Sequence, residues 1–76
     1  MKSAKEMFKE LGYKCELSLG DFEYYNNDID IEITTYNNND KQIIIRNWWS
    51  DERITIVMPT LKAIIKQCEE LGWLDE

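Results

Sequence analysis

Apolar side chains recur at Ala4, Met7, Phe8 and Leu11, the i, i+3, i+4, i+7 spacing of a single helical stripe, with Lys2, Lys5, Glu6, Lys9 and Glu10 left for solvent. Ser3-Ala4-Lys5-Glu6 has the form of a capping box and predicts where that helix starts, and Gly12 predicts where it stops. The period then changes to two: Tyr13, Cys15, Leu17 and Leu19 fall on one side, and Lys14, Glu16 and Ser18 on the other, as in a half-buried strand. Gly20-Asp21 predicts a turn. Phe22 to Tyr25 is too short to choose between a second strand and an irregular connection through Asn26-Asn27-Asp28. Alternation is clean again from Ile29, with Ile29, Ile31 and Ile33 against Asp30, Glu32 and Thr34. Asn37 to Lys41 is turn-rich, and Gln42 to Trp49 resumes strand composition.

Matching polarity across this hairpin pairs Tyr36 with Gln42, Ile33 with Ile45, Ile29 with Trp49 and Glu32 with Arg46. A connection at Ser50 to Arg53 leads to Ile54 to Met58, a further strand if Trp49 pairs with Ile54. Pro59 suits the first turn of a helix, where its missing amide costs nothing, and Leu61, Ile64, Ile65, Cys68 and Leu71 follow at helical spacing up to Gly72. Lys9-Glu10-Leu11-Gly12-Tyr13 and Glu69-Glu70-Leu71-Gly72-Trp73 echo one another, as two helices that stop in the same way with an aromatic folding back over the end. Together these elements predict a single α+β domain over residues 1–76. Its N- and C-terminal helices pack on one face of a three- or four-stranded antiparallel meander.

Composition narrows the chemistry. The 76 residues carry a net charge of −6 and no histidine, which removes His-ligated zinc, Ser/His or Cys/His nucleophile pairs and an imidazole acid or base. Glycines are ungrouped, so a nucleotide phosphate has no glycine-rich cradle, and nothing in the chain points to a cofactor or to catalysis. From Cys15 to Asp40 there are seven acidic residues and no Lys or Arg, which argues against direct nucleic-acid binding. The absence of an apolar run of spanning length argues against a membrane segment. Cys15 and Cys68 fall at apolar positions and read as small buried hydrophobes; with no leader pattern, a reduced cytoplasmic setting is expected, a disulfide between the two being the alternative.

Two helices cover one face of such a sheet, so the other meets water or a partner. The predicted register puts Thr34, Tyr36, Ile44, Arg46, Trp48, Thr55 and Val57 on that face, edged by Asp30 and Glu32. Trp48 and Trp49 are adjacent and point to opposite faces, so one indole is expected in the core and the other outside. The expected role is binding of another protein, with Trp48, Ile44, Tyr36 and Val57 as the apolar anchor, Asp30 and Glu32 for steering, and Arg46 fixing register. Two alternatives stand beside it: a homodimer through the open face, and an acidic decoy in which Asp28, Asp30 and Glu32, spaced at every second position, imitate a row of phosphates. As a metal site that straight row is weak, because its carboxylates diverge.

Ala4-Lys5-Glu6-Met7-Phe8-Lys9-Glu10-Leu11-Gly12-Tyr13 and Leu61-Lys62-Ala63-Ile64-Ile65-Lys66-Gln67-Cys68-Glu69-Glu70-Leu71-Gly72-Trp73 resemble the two ends of short proteins encoded in phages and prophages of low-GC Gram-positive bacteria. The likeness is specific only at the two helices, and Pro59-Thr60 departs from the acidic residues that usually open the second. It implies an accessory protein that modulates or inhibits a host or phage protein, anti-defence roles included, and carries no activity to any residue.

Overall fold

A computed structural model describes residues 2–18, 21–36, 40–49 and 54–74. Helix α1 spans Ala4–Glu10, strands β1 to β4 span Lys14–Ser18, Asp21–Tyr25, Ile29–Tyr36 and Asp40–Asn47, and helix α2 spans Met58–Glu70. The strands form one antiparallel sheet in the order β1-β2-β3-β4, with the helices against one face: the predicted α+β meander. Among the described residues no helix is long and apolar enough to cross a membrane.

The helix ends form as their residues dictate. Ser3 Oγ accepts from the Glu6 amide at 3.2 Å while Glu6 Oε1 accepts from the Ser3 amide at 3.1 Å. Gly12 and Gly72 take φ of +90° and +74°, open to glycine at little cost. The Tyr13 amide then donates to Phe8 O at 3.0 Å and the Trp73 amide to Cys68 O at 2.9 Å, the same six-residue closure at both stops. Tyr13 folds back edge-on against Phe8, with ring centroids 5.4 Å apart.

The core lies between the helices and the inner sheet face. Phe8 stacks on Tyr24 at 3.8 Å, and Ile31, Ile33, Ala63, Ile64 and Cys68 close around them. Tyr24 Oη donates to Gln67 Oε1 at 2.5 Å, which satisfies two buried polar groups with each other. The Ala4 amide donates to Glu70 Oε2 at 2.7 Å and ties the start of α1 to the end of α2. Cys15 and Cys68 are free thiols, Cys15 half-buried and Cys68 buried.

One open alternative is decided and three expectations change. Phe22 to Tyr25 belongs to a strand, paired on both sides, with Tyr24 opposite Cys15 and Ile31. Residues 54–57 form no strand: Val57 is the extended N-cap of α2 and Ile56 packs onto the core, so their alternation serves an unpaired lead-in that needs no partner. Tyr36 pairs with Asp40 rather than Gln42, which slides β4 by two residues and sets Ile33 against Ile43, Ile29 against Asn47 and Arg46 against Asp30. A slip of two leaves every side chain on its predicted face. Finally, α2 buries Thr60, Ala63, Ile64, Gln67 and Cys68, its inner face turned by one residue from the predicted stripe, so Leu61 and Ile65 are exposed. Gln67 turns inward because Tyr24 offers it a hydroxyl. The predicted turns at Gly20, Asn37 to Asn39 and Ser50 to Arg53, and the position of Leu19, lie outside the described residues.

Candidate functional site

The pleat places Glu16 of β1, Glu23 and Tyr25 of β2, Asp30, Glu32 and Thr34 of β3, and Ile44 and Arg46 of β4 on the open face. Its centre is a charged cluster spread over three strands. Arg46 Nη1 donates to Glu32 Oε1 at 2.6 Å and to Asp30 Oδ2 at 3.2 Å, and both bonds hold the guanidinium firmly in its charged form. Glu23 stands opposite Glu32 and diagonal to Asp30, and one carboxylate oxygen from each of the three lies within 4.8 Å of the others. Asp30 is only 1% exposed, and with its neighbours ionised no donor among the described residues faces its Oδ1. At the edge Tyr25 Oη donates to Glu16 Oε1 at 3.4 Å; burial first, then the Glu16 charge, pushes the phenol up.

This crowding sets the state of Glu23. A hydrogen bond to Asp30 that only the protonated acid can donate, then desolvation, then the charges of Asp30, Glu32 and Glu16, push its carboxyl from 4.5 up to about 7. A folded value above the unfolded one means that the native state holds this proton more tightly. The associated stability is complete below the unfolded value and is lost as the pH climbs through about 7. Glu23→Gln, which imitates the protonated acid, is therefore expected to raise the thermal midpoint near pH ~8 and leave it almost unchanged near pH ~5 in metal-free buffer. Melting curves of both proteins across that range check it; equal midpoints throughout would mean that Glu23 titrates as an ordinary surface carboxylate. The groups facing it are Glu16 from β1, Asp30 and Glu32 from β3, and Arg46 beyond them on β4.

A second feature lies where β4 runs out. The Trp48 amide donates to Asp28 O at 3.0 Å and continues the ladder, and the two indoles donate Nε1–H to successive carbonyls of the β2–β3 turn, Trp48 to Asn26 O at 3.0 Å and Trp49 to Asn27 O at 3.1 Å. That turn is itself held by Asn26 Oδ1, which accepts from the amides of Asp28 and Ile29, each at 2.8 Å. Both rings stay in solvent, with Trp48 55% and Trp49 78% exposed. Neither enters the core, against the expectation that one would, because each finds a partner for its N–H outside it.

Of the predicted contact residues, Asp30, Glu32, Ile44 and Arg46 come together on the open face and Trp48 stands at its end. Val57 is 56% exposed but belongs to the N-cap of α2, away from the sheet, because residues 54–57 are not a strand; Thr55 leaves the face for the same reason. Tyr36 closes β3 opposite Asp40, and its side chain lies outside the described residues. Asp30 is buried under Arg46 rather than exposed for steering, and Asp28 sits in the turn, so the row of Asp28, Asp30 and Glu32 meets solvent at its two ends and not at its middle member. The residues that sequence reasoning passed over are Glu23 and Trp49. Deciding β2 as a strand supplies the signal for Glu23, since its partner across the ladder is then Glu32.

Comparison with known proteins brings no match to this chain: no family model, no curated protein and no solved structure.

Proposed function

We propose that this chain is a non-catalytic binding module that takes a protein partner carrying a basic surface, with Trp48 and Trp49 as its anchors and the acidic open face beside them. The observation that carries the reading is the pair of exposed indoles pinned to the carbonyls of Asn26 and Asn27. An aromatic side chain already held in place loses little freedom when a partner covers it, and tryptophan is the commonest residue at energetic centres of interfaces. Glu16, Glu23 and Glu32 add a negative field that favours encounter with Lys- and Arg-rich surfaces. The likeness of the two helix ends to phage-encoded proteins adds a setting for the proposal, a modulator of a host protein. The decoy alternative gains nothing from a carboxylate cluster whose middle member is buried.

Trp48→Ala combined with Trp49→Ala is expected to keep the native circular dichroism spectrum, since neither ring is in the core, and to lose capture of a partner by at least about tenfold, the size of one anchor residue. Affinity capture with wild type and the double variant side by side, followed by mass spectrometry, checks it. Equal capture by both proteins counts against the anchors. A dimer mass by light scattering that the double variant reduces to monomer would make the partner a second copy.

A further inference from the structure

Asp30 poses a problem that the binding role leaves unsolved. Its carboxylate is buried on the side of the sheet without helices, Arg46 takes only Oδ2, and with Glu23 ionised Oδ1 has no donor among the described residues. A buried carboxylate oxygen without a partner is costly, and such groups are rare in folded proteins. The oxygens of Glu23 and Glu32 stand beside it, so the surroundings of Asp30 gather negative charge where positive charge is required. Arg46 matches one charge of the three, through one oxygen each of Asp30 and Glu32, and once Glu23 gives up its proton two are left unmatched.

We propose that Glu23, Asp30 and Glu32 form a binding site for one hard divalent cation of the calcium or manganese kind, with Asp30 Oδ1 as its buried ligand. The mutual spacing of at most 4.8 Å suits a single ion, since oxygens about 2.3–2.6 Å from one calcium ion stand no more than roughly 5 Å apart. The straight row along β3 diverges, whereas the site converges because β2 supplies Glu23 from across the ladder. The donor set selects hard cations: all three groups are carboxylates, the chain has no histidine, and Cys15 and Cys68 lie on the core side. Glu23 and Glu32 are half-exposed, so water completes the coordination shell. Arg46 acts as a positioning residue that holds Asp30 through Oδ2 and Glu32 through Oε1.

Manganese chloride is the probe, added to chelator-treated protein with free Mn²⁺ counted by electron paramagnetic resonance, and calcium and magnesium chloride are the competitors. Wild type is expected to bind one Mn²⁺ per chain with a dissociation constant of about 10⁻⁴ to 10⁻³ M, the range of sites with few protein ligands, and calcium is expected to displace it. Glu23→Gln should weaken binding by at least about tenfold, while Glu69→Gln, the same charge change on exposed α2, should leave it unaltered. Asp30→Asn should abolish binding; should that variant not fold, Glu23→Gln decides, because a half-exposed side chain tolerates the change. No saturable uptake by folded wild type up to about 10 mM, or equal affinity in wild type and Glu23→Gln, overturns the proposal. The partner site is tested separately, since loss of Trp48 and Trp49 removes no ligand oxygen.

Discussion

Phe8→Ala is expected to unfold a large fraction of the protein at room temperature. Phe8 is fully buried, stacks on Tyr24 at 3.8 Å and meets Tyr13 edge-on, so truncation removes the centre of the core and two ring contacts together. Burying a phenylalanine and then leaving its cavity costs about 3–5 kcal/mol, and each aromatic pair adds roughly 0.5–1.5 kcal/mol. Natural domains have about 5–15 kcal/mol in all, and a chain this short sits toward the low end because it buries a smaller share of its surface. Urea titration followed by circular dichroism checks it; a loss below about 1 kcal/mol would mean that α1 docks without Phe8. The consequence reaches the open face, because α1 and α2 press on the side of β2 and β3 opposite Glu23 and Asp30.

Tyr24→Phe is the second large effect, and it separates packing from hydrogen bonding. The ring and its stack on Phe8 remain, but Gln67 Oε1 loses the hydroxyl that donates to it and stays buried. An orphaned acceptor costs about 1–3 kcal/mol, well beyond the loss of a methyl-sized contact. Gln67→Met in the same chain removes the acceptor as well and is expected to recover much of that loss, so the double variant should be more stable than the sum of the two single changes. A double-mutant cycle in urea measures the coupling directly. Strict additivity would show that the two groups do not depend on each other.

Local pattern carried most of this fold. The capping box, the two glycine stops and the isoleucine alternation of β3 each depend on residues within a few positions, and each forms as read. The parts left open or misread depend on partners far along the chain. Phe22 to Tyr25 is a strand because β1 and β3 flank it, which four residues cannot announce, whereas Ile54 to Val57 has strand composition and no neighbour to pair with. Gln67 looks like a surface residue of α2 until Tyr24 is placed under it. The same limit hid the carboxylate cluster: Asp30 and Glu32 are visible as alternating acids, but Glu23 joins them only through the register of β2. Trp48 was legible as an exposed indole and Trp49 was not, since the pleat assigned one of the two to the interior and the Asn27 carbonyl holds it outside.

The order β1-β2-β3-β4 also governs how the chain finds its shape. Every strand pairs with its neighbour in sequence, so the sheet assembles from short loops whose closure costs little entropy. The long closure is the one that brings α1 to α2, where the Ala4 amide and the Glu70 carboxylate meet across 66 residues of chain. The entropic burden of folding is thus concentrated in one event, the docking of the two helices, and the open face with its carboxylates belongs to the part that needs no such event to align.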